Sequence, residues 1–260
     1  MSRPVVTFLS DFGAGSGYPA QMKGEVLRRL PDATLVDLSH DVAPFDVLGG
    51  ALLLEACAPR FPGAAVHLAV VDPGVGTRRR PLCVVDLAGR RLVGPDNGLF
   101  TPFLGAGSAA FLLSDPAIVP RDPSPTFHGR DLFAPVAAWL AGGGSPERLG
   151  PRVCDPVRLD WPVPLRTADA LEGRCLAADP FGNLATSIRR SDLAASAVAA
   201  VTVGERTVRL VATFGDADPG ELVALWGSSD RLEIAVREGS AAREPGLGRG
   251  TQVRVRLRDG

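Results

Sequence analysis

Val66-His67-Leu68-Ala69-Val70-Val71-Asp72-Pro73-Gly74-Val75-Gly76-Thr77, followed by Arg78-Arg79-Arg80, is the stretch on which the fold turns. The apolar run reads as a buried strand that delivers a carboxylate, Asp72, at its end. A Pro-Gly turn follows, then a loop of small residues, then three guanidinium groups. Ligands and chemistry collect at the carboxyl ends of strands in α/β sheets. The pattern recurs: Val5–Leu9 leads to Asp11, and Leu35-Val36 leads to Asp37. A single Asp-Pro-Gly is a common turn. Three strand-end acids, one with arginines directly after it, point instead to a crevice that takes a polar small molecule.

Around this stretch, strand-like and helix-like segments alternate over the first ~150 residues, the signature of a parallel-rich α/β sheet with flanking helices. Strands are expected at Val5–Leu9, Ala33–Leu38, Ala65–Val71 and Leu82–Leu87. A helix is expected over Pro19–Leu30, with Met22, Val26, Leu27 and Leu30 on one face and Pro19 suited to its first turn. Asp46 reads as the cap of a second helix running to Ala56, and Asp131–Leu140 as a third, stopped by Gly142-Gly143-Gly144. Residues 1–154 form this first domain, and 155–168, with Pro156, Pro162 and Pro164, read as a linker. Residues 169–260 carry a different pattern. Arg174–Ala178, Asn183–Ile188, Ala199–Val203, Thr207–Phe214, Glu221–Trp226, Arg231–Val236 and Gln252–Leu257 are short strands separated by turn residues. They predict a small all-β barrel or sandwich, with Asp192–Val198 as its one helical segment.

Composition narrows the function classes. With 45% hydrophobic and 22% charged residues the chain is globular. A net charge of −1 provides no basic footprint for nucleic acid or an anionic membrane. Lys23 is the only lysine, which reads as compositional bias. Cys57, Cys83, Cys154 and Cys175 lack the short spacing of zinc or redox sites and read as small core fillers. No apolar run reaches the length of a bilayer span and no leader precedes the first strand, so the expectation is a cytoplasmic protein.

Histidine is scarce. His67 lies inside an apolar strand and reads as structural; His40 follows a strand and reads as a loop-orienting residue. His128, in Thr126-Phe127-His128-Gly129-Arg130-Asp131, stands just ahead of a helix, and a loop-ordering role is as consistent with these residues as a chemical one. Gly13-x-Gly15-x-Gly17 does not match the dinucleotide fingerprint, and the dispersed acids and histidines lack metal-ligand spacing, so no metal is expected.

Ser10-Asp11-Phe12-Gly13, Asp37-Leu38-Ser39-His40, Asp72-Pro73-Gly74-Val75-Gly76-Thr77, Gly94-Pro95-Asp96-Asn97-Gly98-Leu99, Thr126-Phe127-His128-Gly129-Arg130-Asp131, Asp179-Pro180-Phe181-Gly182-Asn183 and Leu232-Glu233-Ile234-Ala235-Val236 follow one another in a recognisable order. The chain resembles the adenosyl-forming S-adenosyl-L-methionine (SAM) hydrolases, or SAM hydroxide adenosyltransferases, relatives of the bacterial fluorinase and chlorinase. The resemblance covers nearly the whole chain. It implies an α/β domain followed by a β-barrel, and a homotrimer that binds SAM between neighbouring subunits. It also implies that Asp72, Arg79 and His128 engage the water nucleophile, although Arg78 and Arg80 are equally close in sequence. By the same resemblance Asp11 binds the ribose hydroxyls, Phe181 and Asn183 the adenine side, and Asp179 and Ser228 the methionine portion, with Asn97 in a matching motif. SAM is then the substrate, and no cofactor is implied.

The implied reaction is attack of water or hydroxide on the ribose C5′, releasing adenosine and L-methionine. Asp72 or His128 would take the proton, and Arg79 would orient Asp72. The halogenating relatives carry tyrosine where this chain has Asp72, and the fluorinase a hydroxyl-bearing residue where it has Val75. A carboxylate repels halide but can hydrogen-bond water, which favours hydrolysis. A SAM-dependent halogenase and a SAM-binding sensor without significant turnover are the competing readings. The first loop, Gly15-Ser16-Gly17-Tyr18, lacks the acid many relatives carry there, and Ser229-Asp230-Arg231 replaces a smaller turn.

Overall fold

The computed structural model describes residues 3–193 and 197–258. It divides between Trp161 and Pro162 into two compact units. The first contains β1 (Val5–Ser10), α1 (Tyr18–Arg29), β2 (Thr34–Ser39), α2 (Val47–Cys57), β3 (Val66–Val70), β4 (Pro81–Val85), β5 (Arg91–Pro95), β6 (Ala109–Leu112) and α3 (Ala134–Ala141). The sheet order is β2-β1-β3-β5-β4-β6. β2, β1, β3 and β5 run parallel, whereas β4 is antiparallel to both β5 and β6. The sheet is therefore mixed at one side. β5 and β6 are too short and too rich in glycine and alanine to stand out in the sequence.

Helices cover both faces, which is why the strands read as unbroken apolar runs rather than alternating ones. Val6, Phe8, Val66, Leu68 and Val70 pack with Met22 and Val26 of α1 and Val136 and Leu140 of α3. The intervening residues, Leu9, Ala69 and Val71, pack with Ala51 and Leu54 of α2. Asp46 caps α2 by accepting a hydrogen bond from the Gly49 N–H at 3.1 Å. The Pro-rich stretch expected to be a linker is anchored at its start. Asp155 pairs with Arg80, and the N–H groups of Val157 and Leu159 donate to Asp96 and Thr101.

The second unit contains β7 (Leu165–Arg166), β8 (Ala170–Ala178), β9 (Leu184–Arg189), β10 (Val198–Val203), β11 (Arg206–Leu210), β12 (Leu222–Trp226), β13 (Arg231–Val236) and β14 (Gln252–Leu257). The pairing β14-β10-β11-β12-β13-β9-β8 closes on itself through β14–β8, making a seven-stranded barrel. An odd ring cannot be antiparallel throughout, so one neighbouring pair must run parallel. That pair is β11–β12. Leu171, Ile188, Val201, Ile234 and Val255 fill the interior.

Three sequence expectations change here. β8 begins at Ala170 rather than Arg174. β11 ends at Leu210, because Thr213 and Asp216 cap each other around a short 3-10 turn that lifts Phe214 out of the strand. The expected helix Asp192–Val198 is instead a 3-10 turn, Arg190–Leu193, and a strand beginning at Val198; residues 194–196 lie outside the described set.

His67 is fully buried in β3, where its Nδ1 shares a 2.8 Å hydrogen bond with Thr7 Oγ1. Burial, then the charge of Arg90, pushes its pKa down to about 4. The folded pKa lies below the unfolded one, so the unfolded chain binds the proton first as pH falls. Stability is full above about pH 6.5 and declines through the window down to about 4, by roughly 3 kcal/mol in total. Urea titrations at several pH values are expected to show this slope, and His67→Leu is expected to remove it whatever it does to absolute stability.

Candidate active site

Ser10 of β1 pairs with Val70 of β3 in parallel register, so Asp11 and Asp72 leave adjacent strands at the same end of the sheet. Asp37 is different. It lies within β2, where Lys23 Nζ donates to its Oδ2 at 2.6 Å and His40 Nε2 bonds its Oδ1 at 2.9 Å. Burial opposes its ionisation, but these partners outweigh burial and lower its pKa. It belongs to the scaffold rather than the crevice.

That scaffold ties two loops together. His40 Nδ1 bonds Ser10 Oγ at 2.8 Å, and the Gly13 N–H donates to the His40 carbonyl at 2.7 Å. The Ala14 N–H donates to Asp41, and the Phe45 N–H to Asp11 Oδ2 at 2.9 Å. Asp11 Oδ1 has no protein donor among the described residues. Phe45 holds a left-handed backbone, φ 67°, with its ring exposed. In sequence it is only the apolar residue before a helix cap.

Asp72 is nearly sealed from solvent, as is Arg79, with side chains 4% and 9% exposed. Arg79 Nε donates to both carboxylate oxygens at 3.0 and 2.9 Å, and Nη2 donates to Oδ2 at 2.5 Å. Nη2 also lies 2.7 Å from His128 Nδ1. The guanidinium stacks 5.2 Å from the Phe133 ring centroid. A guanidinium has donors only, so His128 Nδ1 must be the acceptor and its proton must sit on Nε2. Burial, then the Arg79 charge, lowers the His128 pKa, while Asp72 and Asp131 act weakly the other way. His128 is thus a neutral imidazole with an Nε2–H donor.

The structure separates the three arginines. Only Arg79 turns to Asp72. Arg80 pairs with Asp96 at 2.7 Å and Asp155 at 2.8 Å, and Arg78 is exposed. Asn97 Nδ2 donates to the Val71 carbonyl at 2.8 Å, and its Oδ1 accepts from the Leu99 N–H. Its Nδ2 therefore holds the backbone next to Asp72, while its Oδ1 fixes the turn of its own loop. His128 initiates a π-helical turn, Gly129–Phe133, a feature frequent at functional sites. Phe127 beside it forms an edge-on cluster with Phe12 and Tyr18, tying the His128 loop to the Asp11 loop.

The remaining expected residues lie in the second unit. Asp179 Oδ1 accepts from the N–H groups of Phe181 and Asn183, both at 2.9 Å, and Oδ2 from Asn183 Nδ2 at 2.8 Å. This braced turn presents the Phe181 ring to solvent, 78% exposed. It borders a groove of about 790 Å³ lined by Phe181, Asn183, Phe214, Ser240 and Arg243. Phe214 was not foreseen, because in sequence it looked like a strand residue. Two exposed rings on one groove suit a flat aromatic ligand. Ser228 lies in the four-residue turn joining β12 to β13.

Known proteins share both halves. Residues 6–150 match the SAM hydroxide adenosyltransferase N-terminal domain, and residues 173–254 its C-terminal domain. The chain is 44% identical to the (R)-S-adenosyl-L-methionine hydrolase of Thermus thermophilus, over 97% of this chain and 99% of that one. It is 40% identical to the protein of the same name from Salinispora tropica, over 97% of each, and 31% identical to the fluorinase of Nocardia brasiliensis, over 98% and 97%. Among solved structures, an uncharacterized conserved protein from Thermotoga maritima superposes with a TM-score of 0.89 at 33% identity, over 96% of this chain and 99% of that one.

Gly76 adopts φ 76°, and a Cβ there would sit 2.7 Å from the Pro125 carbonyl oxygen. Gly76→Ala is expected to cost roughly 1–3 kcal/mol and to push the Arg79 loop away from the His128 loop. Thermal denaturation and the chemical shift of the His128 ring would register both effects.

Proposed function

The chain belongs to the SAM hydroxide adenosyltransferase family, and from that premise we propose that it hydrolyses SAM to adenosine and L-methionine, with Asp72, Arg79 and His128 as the catalytic set. The Asp72–Arg79–His128 chain of hydrogen bonds is the observation that carries this reading. The relatives' name specifies the R configuration at sulfur, and we take that epimer as the substrate here.

A water oxygen bonds to C5′ as the C5′–S bond breaks, and its electron pair passes to sulfur, leaving methionine as a neutral thioether. One proton leaves the attacking water. Arg79 occupies the His128 Nδ1 lone pair and Nε2 already carries a proton, so neutral His128 orients the water by donation. Asp72 then accepts the proton and passes it to solvent. Arg79 holds both carboxylate oxygens, so little reorganisation is required as charge shifts. A carboxylate at this position disfavours a halide nucleophile.

In this reading Asp11 binds the ribose hydroxyls through its free Oδ1, and Asn97 positions Asp72 through Val71. Phe181, Phe214 and Asn183 take the adenine, and Asp179 and Ser228 lie toward the methionine. The active protein is a homotrimer that assembles each site from neighbouring copies, and it works in the cytoplasm. No helix among the described residues is long and apolar enough to cross a membrane.

Incubation with a mixture of SAM epimers, with and without chloride, is expected to yield equal amounts of adenosine and L-methionine and to consume the R epimer. Asp72→Asn should lower kcat by about 10²-fold or more with little change in KM. Unchanged turnover would remove Asp72 from its role, a 5′-chlorinated nucleoside would favour halogenation, and binding without products would favour a sensor. Light scattering should give three times the 27.1 kDa chain mass.

A further inference from the structure

Glu233 has no place in the site as built so far. It lies on β13, where Glu233 pairs with Ala185 of β9, and Ala185 pairs in turn with Ala177 of β8. Side chains alternate along a strand, and Leu232 and Ile234 fill the barrel interior. Glu233 therefore points to the outer face. Asp179 and Asn183 stand just past the ends of β8 and β9, two residues from the two alanines, with the Asp179 N–H donating to the Asn183 carbonyl at 3.0 Å. The cross-strand neighbours of Glu233 toward that turn are the two small alanines, across two strand spacings of about 4.8 Å each.

The opposite side of the carboxylate is covered by the β12–β13 turn. A Cβ on Gly227 would fall 1.9 Å from Glu233 Oε1, so the backbone next to Ser228 rests directly on the carboxylate. Glu233 is thus held between the two turns that carry Asp179, Asn183 and Ser228. No hydrogen bond or ion pair to its carboxylate is found among the described residues. Burial, and then the nearby Asp179, raises its pKa. Arg231, on the same face, donates instead to the Thr186 carbonyl at 3.1 Å. A half-buried carboxylate beside a second carboxylate, without a cation, is an incomplete arrangement.

The substrate has two cationic groups, and the chemistry selects between them. A sulfonium has no hydrogen to donate, and a carboxylate beside it would stabilise the charge that must disperse in the transition state. An ammonium donates three hydrogen bonds and keeps its charge throughout. We propose that Glu233 binds the α-ammonium of the methionine portion, the role left open by the acid-free first loop Gly15-Ser16-Gly17. The proposal rests on the reading that places Asp179 and Ser228 near that portion.

The test compares SAM with its desamino analogue, S-adenosyl-4-(methylthio)butanoate, in steady-state kinetics and calorimetric binding. Glu233→Gln is expected to raise KM and Kd for SAM roughly 10- to 100-fold, with kcat within about threefold. The same variant should leave the analogue's KM within about twofold, because the lost partner is already absent. Glu233→Asp, which retains the charge, should recover part of the SAM affinity. Equal weakening of both substrates would mark Glu233 as structural and overturn the proposal, as would unchanged SAM binding. Ser228→Ala tests the underlying reading separately: it should weaken SAM and the analogue alike, and no effect on either would remove the β12–β13 turn from the methionine portion and overturn the proposal with that reading.

Discussion

The Arg79 guanidinium is the constraint around which the strand-end residues of the α/β unit are arranged. It is nearly buried, donates to both oxygens of Asp72 and to His128, and stacks on Phe133. A buried ion pair gains little over a well-packed apolar pair, but losing one partner strands a charge at a cost of about 3–5 kcal/mol. Each neighbour is therefore committed. The Asp72 loop must turn back within seven residues to return the arginine to its own carboxylate, and small residues with a left-handed glycine allow it. The His128 loop must approach closely enough to be held, and it presents a ring whose tautomer is dictated by a partner that can only donate.

Support for Asp11 follows a similar logic with different groups. The single lysine, Lys23, ends in a chain through Asp37 and His40 to Ser10 at the foot of the Asp11 loop. Four polar groups hold one another, and the loop after β1 is joined to the loop after β2 by backbone and side-chain hydrogen bonds. A loop anchored in this way keeps a carboxylate oriented before any ligand arrives, which lowers the ordering cost of binding.

In the barrel unit the exposed groups are carried on turns. Its closed, odd-numbered ring leaves no free edge and requires one parallel pair. The connection around that pair lifts Phe214 to the surface, and the hydrogen-bonded Asp179–Asn183 turn presents Phe181 to the same groove. Rigid turns on a closed scaffold give fixed positions to exposed rings and acids that would otherwise be disordered or collapsed onto the surface.

Local patterns made much of this legible from sequence. Apolar runs bounded by turn residues located β1, β2 and β3, and the Asp46 cap located α2. Frequent turn chemistry after residue 169 announced a barrel or sandwich, and ordered motifs, through the family resemblance, singled out Asp72, Arg79, His128, Asp179 and Asn183. Periodicity and turn propensity are properties of neighbouring residues, so a linear reading captures them. Without the family resemblance it did not separate Arg79 from Arg78 and Arg80, and it did not capture that Asn97 braces Val71, that Phe214 leaves its strand, or that Glu233 lies across two strands from Asp179. Apart from the local Thr213–Asp216 turn, those facts depend on groups 7 to 54 residues apart in the chain meeting through space. The sequence determined the elements and the chemistry available. The tertiary structure decided which side chains share a dielectric, a hydrogen bond or a groove, because register and packing, not order along the chain, set those distances.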